Sequence, residues 1–177
     1  MDCSTPTLVI ATVAAIAGVA AAIGAIITAA VSWRQVQGFR ASLQAETMLK
    51  LLDRFDSDSF RQTRKTAATA CVSQNPDAAG AAVEDVLEFF DDAAFLVEKN
   101  ALDAEMMWHS FYHWIRLYLQ AGEPHITTYR TAEPSVWKHL FAIYPRLTVI
   151  EKAQGRGVFV EKLNNPQLKR QLEQEIY

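Results

Sequence analysis

The sequence predicts an all-α protein, in which an N-terminal transmembrane helix continues into a stalk and then into a cytoplasmic bundle of about five helices. Two observations predict this class: an uncharged apolar run near the N-terminus, and apolar residues at helical spacing through the rest of the chain. The expected parts are a short extracytoplasmic stub at 1–7, a membrane helix at 8–33, a juxtamembrane stalk at 34–55, a bundle domain at 56–148 and a C-terminal turn and helix at 149–177.

The run from Leu8 to Trp33 contains no charged residue and decides the class. Its 26 residues would form a helix about 39 Å long, against a hydrocarbon core of about 30 Å. A cleaved signal peptide would need a basic region before the run, and a buried soluble helix of this composition would be unusually long and Ala-rich. We therefore expect the lipid bilayer as a partner, through a single span.

The basic residues predict how the span is oriented. They follow the run, beginning with Arg34 and Arg40, and none precedes it. The positive-inside rule then places the N-terminus outside and the C-terminal domain in the cytoplasm, at the cell (inner) membrane. The net charge of −3 and the lack of a concentrated basic face give no reason to expect nucleic acid as a partner.

Small residues recur within the run at four-residue spacing, in the rows Ala14, Gly18, Ala22 and Ala20, Gly24. Such rows let two helix backbones approach closely in a membrane, which predicts a homodimer through the transmembrane helix. The alternative is an ordinary anchor, in which so many alanines produce this spacing by chance. Both interpretations stay open.

Beyond the membrane, no proline interrupts residues 34–55, so the helix is expected to continue as the stalk. Residues 56–59 (Asp-Ser-Asp-Ser) predict a break, and Ser59 with Gln62 has the spacing of a capping box. A basic helix is expected from Phe60 towards Val72. The stalk turns an apolar face to the domain through Met48, Leu49, Leu51, Leu52 and Phe55.

The next two helices have clear start and stop signals. After a loop at Gln74–Asp77, a helix is expected from about Ala81 to Lys99 with one apolar stripe. Asp103 is a natural N-cap for a following helix that ends at Gly122. The stripe of the first helix consists of Val83, Leu87, Phe90, Ala94 and Val97.

Three more helices complete the predicted fold. A short helix is expected from Pro124 to Arg130, a longer one from Pro134 to Arg146, and a last one opened by Pro166. Gly155–Gly157 predicts a turn between the last two. Cys3 and Cys71 lie on opposite sides of the apolar run and cannot pair within one chain, so Cys71 is expected to be a small buried residue.

The order of these segments resembles a family of bacterial membrane-anchored helical proteins of unknown function. The resemblance covers about Arg34 to Leu147 and is carried by KLLDRFDSDSFRQTRK, VLEFFDDAAFLVEKNALD, MMWHSFYHWIRLYL and ITTYR. It implies a bacterial source, a helical fold and a membrane tether. It implies no reaction and no functional residues.

One helix carries the strongest candidate for metal chemistry. Glu105, His109 and His113 follow one another at four-residue spacing and would share a helix face, as two or three metal ligands require. However, HExxH is absent, and Arg116 on the same strip would repel a cation. The interpretation we favour is an ordinary polar face.

Two further sets of side chains can be explained without a binding site. The acidic set Glu84, Asp85, Glu88, Asp91 and Asp92 has the oxygen ligands of a Mg²⁺ or Ca²⁺ site, but a solvated face complementary to Arg61, Arg64 and Lys65 explains it as well. The aromatic row has helical spacing and is expected to be core, not a ligand cage. Its members are Trp108, Phe111, Trp114 and Tyr118.

The sequence contains no phosphate-binding loop, nucleophile elbow or Cys/His catalytic signature, so no catalytic residue and no cofactor is assigned. We expect a non-enzymatic interaction or scaffolding module with an unidentified protein partner. The competing hypothesis is a metal- or small-ligand-binding sensor or enzyme that uses Glu105, His109 and His113. A structural role in membrane organisation or phage-related defence is a third hypothesis, which the residues do not separate from the first.

Overall fold

The computed structural model shows an all-α protein, as predicted. It describes residues 5–73, 76–154 and 165–176, except for the side chains of residues 5–25, 27, 76–79 and 165. Within these ranges the chain forms seven helices and no strand. The helices are α1 (Thr5–Asp56), α2 (Asp58–Ser73), α3 (Pro76–Glu98), α4 (Ala104–Ala121), α5 (Glu123–Ala132), α6 (Lys138–Ala153) and α7 (Asn165–Ile176).

Two compact units divide the chain, and the first, Met1–Leu43, contains the N-terminal part of α1. Most of the predicted span, Leu8 to Trp33, lies outside the described side chains. So do the residues predicted to contact a second helix, Ala14, Gly18, Ala20, Ala22 and Gly24. As far as the structure describes the helices, none of them combines the length and the apolar character that crossing a membrane requires.

The second unit, Gln44–Tyr177, begins inside the predicted stalk. Met48, Leu51 and Phe55 of α1 are buried in its core. Leu49, which was predicted to share that apolar face, is exposed instead. The helical domain therefore starts before the predicted break at residues 56–59.

A single hydroxyl caps α2, and it is not the one predicted. The Phe60 amide donates to Ser57 Oγ (3.3 Å), which places the cap two residues before Ser59. The predicted capping box of Ser59 and Gln62 is therefore wrong. Since α2 begins at Asp58, Ser57 stands directly before the first helical residue, where a hydroxyl best satisfies a free amide.

Local signals predicted α4 well and α3 less well. Asp103 caps α4 by accepting from the Glu105 amide (2.8 Å), and Gly122 ends the helix with its amide bonded to the Tyr118 carbonyl. Helix α3 begins at Pro76, earlier than the predicted Ala81, because proline at a first helical position loses no hydrogen bond. The turn after α3 uses Asn100 at a positive φ of 56°.

The start of α6 departs most from the prediction. The helix begins at Lys138, four residues after the predicted Pro134, and continues past Arg146 to Ala153. Its N-cap is Trp137, which has a positive φ of 51° and offers no capping side chain. The α5 helix extends slightly beyond its predicted ends, whereas the predicted turn at 155–157 lies outside the described residues.

Aromatic side chains from four helices make the centre of the core. The Phe55 ring lies 5.2 Å from the Phe111 ring, and Phe60 lies 4.8 Å from Phe89. Phe111, Tyr118 and Trp108 are buried, as predicted for the aromatic row of α4, whereas Trp114 is only partly buried. Burial of such large rings is the main favourable contribution to the packing of the four helices α1, α2, α3 and α4.

Candidate functional site

The predicted metal strip on α4 has two exposed members. Glu105 and His109 are exposed, whereas His113 is partly buried. Burial, and then the nearby Arg116 charge, lower the pKa of the His113 imidazole. Among the described residues, no group of three or more His, Cys, Asp and Glu side chains could hold a metal ion. The metal-site hypothesis stays a prediction.

Arg116 lies on the same strip but does not share the exposure of Glu105 and His109. Only 1% of its surface is exposed. Helix α6 packs on this side of α4, where Glu151 bonds to Trp108 and Tyr144 stacks on Tyr112, so it covers positions that a bare helix would expose. Burial lowers the pKa of Arg116, while Tyr112, Tyr144 and Glu151 act in the opposite direction.

The surroundings of Arg116 form a buried polar cluster between α4 and α6. Glu151 is 2% exposed and accepts a hydrogen bond from Trp108 Nε1 at 2.7 Å. The Tyr112 and Tyr144 rings are stacked with their centroids 6.1 Å apart. Burial, together with Tyr112, raises the pKa of Tyr144 to about 12. Arg116 and Glu151 are thus both almost fully buried in this cluster, and the charge of Glu151 favours the charged form of Arg116.

A second buried arginine lies on α2. Arg64 Nη1 lies 3.1 Å from Glu175 Oε1 of α7, with only 7% and 9% of the two side chains exposed. The guanidinium also covers the Phe55 ring at 3.9 Å. Tyr118 donates its hydroxyl proton to the Arg64 carbonyl at 3.0 Å. Burial raises the pKa of Glu175 against the effect of Arg64 and then Lys65.

The acidic face of α3 was predicted to be solvated, yet three of its carboxylates lie against other helices. Glu84 lies 3.2 Å from His125 Nε2 of α5, and Glu98 lies 2.6 Å from His139 Nδ1 of α6. Between them, Asp91 accepts from the Leu140 amide at 2.8 Å. Asp91 thereby caps α6 from outside, which replaces the side chain that its own N-cap lacks.

The basic partners predicted for this acidic face pair elsewhere. Arg61 lies nearest to Asp56 (3.8 Å) and Arg64 pairs with Glu175, while Asp92 pairs with Arg54 at 3.3 Å. The predicted complementarity to α2 is therefore wrong for these two arginines. Asp85 and Glu88 of the candidate Mg²⁺ or Ca²⁺ set are exposed.

Sequence reasoning missed the two sites with buried charge, and the available signals were weak. Arg64 lies in a basic segment and Arg116 in a polar strip, so both patterns indicated solvent. One usable signal was the amphipathic last helix, which places Glu175 beside an apolar row and so indicates a charge near a packed surface. The structure thus offers, as its candidate functional surface, the part of α2 and α4 that α7 covers.

Comparison with known proteins identifies the family of the chain. Residues 11–146 match a family described as a domain of unknown function, so the match extends further towards the N-terminus than the resemblance expected from Arg34 to Leu147. No curated protein and no solved structure matches. The match covers most of the chain and confirms an uncharacterised family. The chain belongs to the family of the domain of unknown function DUF4760.

Proposed function

We propose that this protein is a non-enzymatic interaction or scaffolding module, held at the cytoplasmic face of a bacterial cell membrane by the N-terminal part of α1. In this proposal the apolar run of α1 is a single span with its N-terminus outside. The observation that carries the proposal is the exposure of large apolar side chains on the described part of α1. Trp33 is 64% exposed and Phe39 is 66% exposed.

An exposed apolar surface of this kind marks contact with a lipid or protein surface, because water solvates it unfavourably. Ile26, Val31 and Val36 are exposed on the same stretch of helix. Trp33 and the following Arg34 are the residue types that favour the boundary between hydrocarbon and head groups. The uncharged sequence before them supports a membrane span, in which exposed apolar side chains make favourable contact with lipid.

The side-chain chemistry of the helical domain supports a binding role over a catalytic one. The carboxylates of Asp91 and Glu98 bond to α6, and that of Glu84 lies beside His125 of α5. The buried Glu151 serves the packing of α4 on α6. These groups are engaged in setting the relative positions of the helices. We further propose that the small-residue rows around Gly18 bring two spans together as a homodimer.

The membrane tether is tested by placing charge in the middle of the proposed span. Val19→Lys with Ile23→Lys inserts two ammonium groups, each of which costs about 2.5–3.5 kcal/mol at the centre of a bilayer. We expect the full chain to appear in the carbonate-resistant membrane fraction of expressing bacteria, and the double variant to leave it almost entirely.

Val149→Lys is the matched control, because Val149 is also an exposed apolar side chain but lies on α6 of the helical domain. This variant should stay with the membranes as the unaltered chain does. If the unaltered chain is found wholly in the aqueous fraction, or if both lysine variants stay equally in the membrane, the proposed tether is wrong.

A further inference from the structure

A groove between α2 and α4 receives α7, and its floor is apolar. Leu172, the most buried residue of α7, packs against Ala68 of α2 and Leu117 of α4. Leu168 and Ile176 continue the contact along one face of α7. Apart from Pro166, the other residues of this helix are polar, so its apolar contact with the groove depends on one row of three side chains.

The groove also contains a buried cation that selects a carboxylate. The Arg64 side chain is 7% exposed and pairs with Glu175 of α7. Its Nε atom is buried and has no hydrogen-bond acceptor among the residues that the structure describes. Phe55 and Trp114 lie against the guanidinium at 3.9 and 5.3 Å and keep it in the apolar surroundings where a carboxylate partner matters most.

A cavity of about 350 Å³ opens beside Ile176 along α2. Its lining consists of α2 residues and Ile176, and Lys65 is the charged residue among them. Its other lining residues are Gln62, Thr66, Thr69, Ala70 and Ser73.

The groove and its occupant differ in their relation to the family. Arg64, Trp114 and Leu117 lie within residues 11–146, which match the family, whereas α7 lies outside them. The groove residues thus lie in the part of the chain that the family model matches, and the helix that fills the groove lies after that part.

We infer that the α2–α4 groove is the docking site of the interaction module for an amphipathic helix of a partner protein, and that α7 occupies it until the partner displaces it. The partner helix carries apolar side chains at positions i, i+4 and i+8, as Leu168, Leu172 and Ile176 do, with a carboxylate at i+7 in the place of Glu175. This inference rests on the proposed function, since it names the partner chemistry of the same module.

The test uses the full chain in mild detergent and a fluorescent peptide with the α7 sequence, NPQLKRQLEQEIY. Leu172→Asp in the chain should release α7, because it places an unpaired carboxylate against Leu117 and Ala68. We expect the peptide to bind this variant at least tenfold more tightly than the unaltered chain, whose groove is filled. Hydrogen exchange should show that the α7 amides lose protection while those of α3 and α4 keep it.

Matched peptides test the recognition without any risk to folding of the chain. A peptide with Glu175→Lys should bind the released chain at least tenfold more weakly, and one with Glu173→Lys should bind almost unchanged. Equal binding to the released and unaltered chains would overturn the inference, as would α7 amides that remain protected in Leu172→Asp.

Two other outcomes are separable. A dimer of the unaltered chain that Leu172→Asp abolishes would mean that a second copy supplies the helix, which contradicts a separate partner. Leu172→Asp leaves the apolar run of α1 intact, so the variant should remain in the membrane fraction. If the α7 peptide does not bind Leu172→Asp while this variant stays in the membrane fraction, the docking site alone is refuted. If the peptide binds but the chain is not in the membrane fraction, the tether alone is refuted.

Discussion

The N-terminal part of α1 and the helical domain place the same kinds of side chain in opposite environments. Phe39 and Trp33 of α1 are largely exposed, whereas Phe111 of the helical domain is fully buried. In the domain, apolar residues form stripes that face neighbouring helices; in α1 the apolar run has no polar face. Both regions are rich in apolar residues. The arrangement of those residues around the helix distinguishes a helix that packs in a core from one that exposes its apolar side chains.

The largest expected effect on stability comes from comparing the same substitution, phenylalanine to alanine, in the two regions. Phe111→Ala should lower the free energy of unfolding by about 3–5 kcal/mol, because it leaves a cavity among Phe55, Phe89 and Phe90. Phe39→Ala should change it by less than about 0.5 kcal/mol, since that ring is exposed. Denaturant unfolding of the full chain in mild detergent, followed by tryptophan fluorescence, measures both. Similar losses in the two variants would break the comparison.

Replacing a buried charged residue of the helical domain should give the next largest effect on stability. Glu151→Leu should lower the free energy of unfolding by roughly 2–3 kcal/mol, because Trp108 Nε1 loses its acceptor and Arg116 loses a compensating charge. Glu151→Gln keeps an acceptor oxygen and should cost less. Equilibrium unfolding compares the two variants, and a leucine variant as stable as the unaltered chain would show that this carboxylate does not support the packing.

The cap of α2 gives a smaller and more local effect. Ser57→Ala should lower the free energy of unfolding by about 1 kcal/mol, because the Phe60 amide loses its acceptor. Ser59→Ala is the control and should have an effect of less than about 0.5 kcal/mol. Thermal unfolding of the two variants distinguishes them, and a larger loss in the Ser59 variant would restore the cap that the sequence predicted.

Local signals in the sequence predicted much of the fold. Asp103 and Gly122 bound α4 as predicted, because a capping carboxylate and a terminal glycine act on the nearest backbone groups. Helical spacing likewise identified the buried faces of α3 and α4. These interactions join residues close in sequence, which is why the pattern alone was sufficient to predict them.

The candidate sites depended on contacts between distant residues and could not be predicted in the same way. The Asp91 carboxylate caps α6 from another helix, across 49 positions of sequence, so Pro134 gave a false start. Arg116 is buried because α6 covers α4, and Arg64 because α7 covers α2. A sequence pattern shows which face of a helix is polar, but not which part of that face another helix will cover.

The central claim is that the N-terminal run of α1 crosses a membrane, and an impermeant maleimide tests it most directly. In a Cys71→Ser background, Cys3 is the single thiol, and it should be labelled in intact bacteria. In the matched Cys3→Ser chain, Cys71 should stay unlabelled, because burial raises its pKa to about 11 and the proposed topology places it in the cytoplasm. Labelling of Cys3 only after the cells are broken would contradict the proposed span.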